Sequence, residues 1–142
     1  MYVWIGCKLP ESFETAAHEA VLEALTAFLS TQQPFPVRVG NPSQNGNILW
    51  LPAEENSVLR QLHDRLDTLL EDHFDIPQHA FDKAFWFHST LFIDESVEKI
   101  SKILEYLQNY SIARVLAVDT FLLGISETGK AGTYRVVRQI QV

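Results

Sequence analysis

Hydrophobic and polar positions alternate along the chain with two periods, and the switches between them divide it into elements. "YVWIGCKL", from Tyr2 to Leu9, is rich in β-formers and stops at Pro10, which predicts a strand. Pro10-Glu11-Ser12 then opens a helix whose apolar stripe is Phe13, Ala17, Val21, Leu25, Phe28 and Leu29. "PFPVRVG" (Pro34 to Gly40) reads as a short strand, "NPSQNGN" (Asn41 to Asn47) as a turn, and "ILWL" (Ile48 to Leu51) as the returning arm of a hairpin. Asn56 or Ser57 caps a second helix with Val58, Leu59, Leu62, Leu66, Leu69 and Leu70 inward. "DIPQHAFDKA" (Asp75 to Ala84) is a loop, and "FWFHSTLF" (Phe85 to Phe92) a buried strand. Asp94 or Ser96 begins a third helix with Val97, Ile100, Ile103, Leu104 and Leu107 inward. A strand from Ala113 to Ile125, a turn from Ser126 to Gly132 and a closing strand "TYRVVRQIQV" complete the order β-α-β-β-α-β-α-β-β.

That order contains a repeat: strand, helix with an acidic start, strand, glycine turn, strand occurs from residue 2 to 51 and again from 85 to 141. "LPESF" at Leu9 to Phe13 lines up with "IDESV" at Ile93 to Val97. The expectation is one α+β domain over 1–142, with two pseudo-symmetric β-α-β-β lobes (about 1–52 and 85–142) joined by a helix at about 56–73. The sheets are expected to be rich in antiparallel pairs and to flank a central cleft.

Composition narrows the classes. With 142 residues, 46% hydrophobic and 20% charged, the chain fits one globular core and is not disordered. The apolar runs are too short to span a bilayer, and no basic region precedes the first one, so neither a membrane partner nor a signal peptide is expected. Cys7 is the single cysteine, which excludes an internal disulfide framework, and the default location is cytoplasmic. A net charge of −7 argues against a surface that coats nucleic acid. The charge is uneven, however. Arg114, Lys130, Arg135 and Arg138 face only Asp119 and Glu127 in the last segment, a net +2 that leaves −9 on the rest and suits a local phosphate site.

The candidate chemistry sits in the middle of "FWFHSTLF". Alternation along a strand puts Trp86, His88, Thr90 and Phe92 on one face and Phe85, Phe87, Ser89 and Leu91 on the other. His88 and Thr90, about 7 Å apart by strand rise, can reach one phosphate from the same side. A neutral imidazole takes or gives a proton near pH 7, and a threonine hydroxyl donates to a non-bridging oxygen and holds the group. The plainer reading is a hydrogen-bonded histidine beside an ordinary β-former.

"HSTL" in this setting resembles the H-x-(S/T) signature of the two-histidine (2H) phosphoesterase superfamily, the LigT-like or 2′-5′ RNA ligase group. The order from "PFPVRVG" through "NILWLPAEENSVLRQLHDRLDTLLEDH" to "FDKAFWFHSTLFIDE", and the closing "GTYRVV", is similar to that family from Pro34 to the C-terminus. The resemblance implies a cleft in which two such motifs face each other. One histidine acts as base, the other protonates the leaving oxygen, and the hydroxyls hold the phosphate without metal or other cofactor. The implied ligand is an RNA end or small nucleotide carrying a 2′,3′-cyclic phosphate or a 2′-5′ phosphodiester. The implied catalytic residues here are His88 and Thr90.

The repeat places Trp4 opposite His88 and Gly6 opposite Thr90, so "YVWIG" offers no second histidine. In another alignment this strand is the family's first, and the segment with the first motif is missing between Glu11 and about Val21. His18, His63 and His73 are read as surface residues, and His79, in the loop before the motif strand, is the best placed to approach the cleft. Tyr134 or Arg135 on the last strand, and Trp86, Phe92 and Trp4, are candidate binding residues, by ring stacking or a bidentate phosphate contact. Lys8 is a weaker phosphate candidate. Three functions compete: a phosphodiesterase or RNA-end enzyme, a nucleotide- or phosphate-binding module without turnover, and a remnant that dimerises through the edge at Tyr2 to Leu9. A metalloenzyme lacks support, with no histidine pair at i, i+4 and no Cys/His cluster.

Overall fold

The computed structural model describes residues 15–78, 82–126 and 134–142. The strand expected at Tyr2 to Leu9, with Trp4 and Lys8, lies outside them, as do the helix opening at Pro10 to Ser12 and His79. The elements are α1 (Thr15–Leu29), β1 (Phe35–Val39), β2 (Ser43–Asn45), β3 (Ile48–Pro52), α2 (Ser57–Phe74), β4 (His88–Ile93), α3 (Val97–Leu107), β5 (Arg114–Val118), β6 (Thr120–Ser126) and β7 (Tyr134–Gln141), with a single 3-10 turn at Asp82–Ala84. Every strand pairing among the described residues is antiparallel, and the fold is α+β.

The helices form where the sequence places their caps. The Asn56 side chain accepts from the Leu59 N–H at 2.8 Å to begin α2, and Ser96 accepts from Lys99 N–H to begin α3. α2 ends on Asp75, held in the left-handed region at φ 52°. Leu59, Leu62, Leu66 and Leu70 of α2 are buried as the stripe requires, against Val21, Leu25 and Leu29 of α1 and Phe35 and Val37 of β1. Val58 at the first turn stays exposed, and on α3 only Ile100 is fully buried, with Val97 exposed.

The strand pairing departs from the expected pattern. The predicted turn at Asn41 to Asn47 contains a strand of its own, β2, which pairs with β3 and leaves only Gly46-Asn47 to reverse the chain. Gly46 takes φ 57°, which this tight reversal needs and glycine adopts without cost. β1 pairs instead with β5, Phe35 opposite Val118 and Val39 opposite Arg114. It meets β3 only at the end, through Gly40 N–H to Pro52 O and Glu54 N–H to Arg38 O, both 2.8 Å. The long strand expected from Ala113 to Ile125 breaks at Asp119, and its second half, β6, forms a separate two-stranded sheet with β7. β1 thus finds its partner beyond α3, across the division expected between the two lobes.

Candidate active site

The motif segment is strand only from His88 onward; Phe85, Trp86 and Phe87 carry no ladder. β4 pairs with β3 alone among the described strands, in the order β2-β3-β4. Residues opposite one another in an antiparallel pair share a face. Trp50 lies opposite both Ser43 and Thr90, and Pro52 lies opposite His88, so Ser43, Trp50, Pro52, His88 and Thr90 share one face. Gln44 lies opposite Leu49, and Leu51 opposite Ser89, on the other. That second face carries the helices. Ser101 Oγ of α3 donates to Gln44 Oε1 at 2.9 Å, Leu51 packs into the core with α2, and Leu49 and Ser89 are buried. On the face of His88 and Thr90, Ser43 and Pro52 are exposed and Trp50, His88 and Thr90 are half-buried.

The pairing slips between Leu49 and Trp50: Leu49 is opposite Phe92 and Trp50 is opposite Thr90, so Leu91 is an extra residue in β4. Such a bulge reverses the alternation beyond it. Phe92 consequently leaves the face of His88 and turns to α3, where the Lys99 ammonium sits 5.4 Å from its ring centre. The expectation that Phe92 shares a face with His88 and Thr90 is corrected on this ground. The expectation of a buried strand is corrected too, since Leu91, Phe92 and Ile93 are all exposed.

His88 is half-buried, and its ring lies 4.8 Å from Trp50 and 6.1 Å from Phe85, centre to centre. Trp86, the most exposed of the large apolar side chains, packs on Trp50 at 6.0 Å. His88 Nδ1 is 2.6 Å from the Trp86 carbonyl oxygen. A carbonyl oxygen only accepts, so Nδ1 carries the hydrogen and the neutral ring presents its lone pair at Nε2. His88, Thr90, Trp50 and Trp86 are thus one constellation, and Trp50 was hidden from sequence reasoning because only the cross-strand register brings it to His88.

Beside this face lies a groove of about 440 Å³, lined among others by Glu55, Arg60, Asp64, Lys83, Phe85 and Trp86. The Arg60 guanidinium donates to Glu55 at 3.0 Å and to the Phe85 carbonyl at 3.1 Å, and stacks over Phe87 at 4.7 Å. Its hydrogen bond, reinforced by its charge, holds the Glu55 carboxyl below the usual range.

The other candidates stand on other elements. Tyr134 and Arg135 are opposite Ser126 and Ile125 in the β6–β7 sheet, which shares no strand with that of β4. Being adjacent in β7, they point to opposite faces. His18 is on α1 and His73 is exposed in the last turn of α2. His63, expected at the surface, is fully buried. The surrounding rings explain it: His63 stacks on Phe85 at 5.4 Å and meets Phe87 edge-on at 6.0 Å. Among the described residues no group of three or more His, Cys, Asp or Glu is gathered to hold a metal ion, and no helix is long and apolar enough to cross a membrane.

Comparison with known proteins follows the same line as the geometry. No curated protein matches the chain. A family model, that of the 2′-5′ RNA ligase superfamily, matches residues 7–130, which takes in α1, all of α2 and the whole of the His88 strand. With most of its length inside that match, the chain belongs to the 2′-5′ RNA ligase superfamily.

Proposed function

We propose that the protein acts on 2′,3′-cyclic or 2′-5′ phosphodiesters of an RNA end or small nucleotide, by acid–base chemistry centred on His88. The observation that carries this reading is the 2.6 Å contact from His88 Nδ1 to the Trp86 carbonyl. It supports the tautomer with a lone pair at Nε2, the atom to which this reading gives the proton transfer, on the face shared with the Thr90 hydroxyl. In hydrolysis of a cyclic phosphate, a base takes the proton of the attacking water as its oxygen bonds to phosphorus. The bond from phosphorus to one ribose oxygen breaks, and an acid returns a proton to that oxygen. His88 supplies one of these two roles. Thr90 donates to a non-bridging oxygen, and the indoles of Trp50 and Trp86 offer planes on which a base stacks.

The test is turnover of a 2′,3′-cyclic nucleotide by the protein and by His88→Ala. Loss of a positioned proton donor or acceptor is expected to lower the rate by about 10²- to 10⁴-fold. Equal rates for the two proteins sink the assignment.

A second reading is favoured by one specific observation. The other described histidines stand on α1 and α2, not on the sheet that carries His88. On that reading the same face holds a nucleotide or phosphate without hydrolysing it. Saturable binding of the nucleotide, with no product after long incubation, selects it over the first.

A further inference from the structure

His63 is the one fully buried titratable side chain among the described residues, and the proposed chemistry does not use it. Its surroundings are unusual for a core position. Nδ1 is 3.2 Å from Asp64 Oδ1 and 3.6 Å from Asp67 Oδ2, both carboxylates on its own helix. Ionised carboxylates only accept, so the ring hydrogen belongs on Nδ1. Nε2 then keeps a lone pair in the interior with no hydrogen-bond partner among the described residues. An apolar residue of similar size would remove that cost at Nε2 but would leave the buried Asp67 carboxylate without the imidazole beside it. The two carboxylates account for Nδ1 and leave the cost at Nε2 without a local return.

What it touches suggests another reason. The residues just before the His88 strand, Phe85 to Phe87, have no ladder, and side chains and single bonds hold them. Arg60 donates to the Phe85 carbonyl at 3.1 Å, His88 Nδ1 to the Trp86 carbonyl at 2.6 Å, and Ala53 N–H to the Phe87 carbonyl at 2.9 Å. Under this segment lies the His63 ring, nearly parallel to Phe85 at 26° and edge-on to Phe87 at 82°. Phe85 in turn lies 6.1 Å from His88 at 32°. The stack runs His63, Phe85, His88. At its far end Asp67, beside His63, accepts from Gln78 Nε2 at 2.5 Å, which fastens the start of the connection between α2 and β4 to the same helix face.

We infer that His63 is a positioning residue for His88. Its orientation is set by Asp64 and Asp67, its ring face fixes Phe85, and the fixed Phe85–Phe87 backbone holds the Trp86 carbonyl where it selects the tautomer of His88. This rests on the reading of His88 as the proton-transferring group only for its effect on turnover. The effect on the His88 ring stands independently of it.

The experiment measures both. In protein labelled with ¹⁵N-histidine, the His88 ring signals, assigned by their disappearance in His88→Asn, are expected to show the Nδ1–H form. In His63→Leu, which leaves the buried Asp67 carboxylate without the imidazole, the protein is expected to melt lower than the parent, and in the folded protein the His88 signals are expected to shift to a mixture of tautomers. With a cyclic nucleotide that is turned over, kcat is expected to fall about tenfold with KM little changed. Unaltered His88 signals in a folded His63→Leu overturn the inference. Where that variant does not fold, Asp67→Asn decides: it keeps the shape but weakens the acceptor facing Nδ1, and unchanged His88 signals there overturn the inference equally. An absence of turnover in the parent counts against the proposed function and leaves the spectroscopic outcome to judge His63.

Discussion

Thr90 tests the division of labour at the level of single side chains. It is half-buried, on the face of His88, and opposite Trp50 in β3. Thr90→Val keeps the β-branched shape that the strand accommodates and removes only the hydroxyl. If that hydroxyl holds the phosphate, the variant is expected to bind the cyclic nucleotide about 10- to 100-fold more weakly, the value of one hydrogen bond to a charged group. Thermal melts are expected to coincide, and equal affinities for the two proteins count against the role. Alternation along the sequence was enough to pair His88 with Thr90 and to separate Ser89 from them. It failed at Phe92, because the bulge at Leu91 depends on how β4 meets β3 and leaves no mark on a single strand. It failed at His63 for a related reason. A histidine between Leu62 and Asp64 looks amphipathic at the surface, and only the approach of Phe85 and Phe87 encloses it.

Among the elements, α3 shows how a helix start can be tied to protonation. Asp94 precedes its cap, accepting from the Ser96 N–H at 2.9 Å and from Lys99 Nζ at 2.5 Å. The hydrogen bond from Lys99, then that from Ser96, hold its carboxyl below the ordinary value of 3.8. A carboxylate with a depressed folded-state pKa contributes stability above its unfolded value and loses it as pH falls through the folded one. The Asp94→Asn variant is therefore expected to be less stable than the parent near neutral pH, with the difference closing as pH falls below 3.8. Denaturant melts of both proteins across that range measure it; a gap that persists in acid removes Asp94 from the account. The effect is expected to be small, because the pair is in contact with water. Helices were the most legible elements for a physical reason. Caps and stripes are local, so Asn56, Ser96 and the leucines of α2 announced themselves. The pairing of β1 with β5 joins residues separated by two helices, and nothing in either strand names its partner. The break at Asp119 was hidden likewise, since "ARVLAVDTFLLGI" is apolar on both sides of it.

At the scale of the whole molecule, charge separates a protein that grips one phosphate from one that lies along a nucleic-acid strand. The chain carries −7. Several of its cations are already engaged with carboxylates: Arg38 with Glu54, Arg60 with Glu55, Lys99 with Asp94, Lys102 with Glu98, and Arg138 with Glu19. The face of His88 presents hydroxyl, imidazole and indole groups, and the neighbouring groove is lined by the cations Arg60 and Lys83 among others. Recognition there must rely on short-range hydrogen bonds and stacking, with one or two phosphates neutralised. Each such contact on a single strand contributes a slope of about −0.7 in log affinity against log salt. For an oligonucleotide ending in a cyclic phosphate, affinity is then expected to fall by less than about tenfold between 50 and 200 mM salt, and to change little as the strand is lengthened. Fluorescence titration, using the exposed indole of Trp86 as reporter, measures both quantities. A fall of about a thousandfold over the same range would instead require an extended basic track. The described residues of the face of His88, namely Ser43, Trp50, Pro52, His88 and Thr90, include no lysine or arginine to begin such a track.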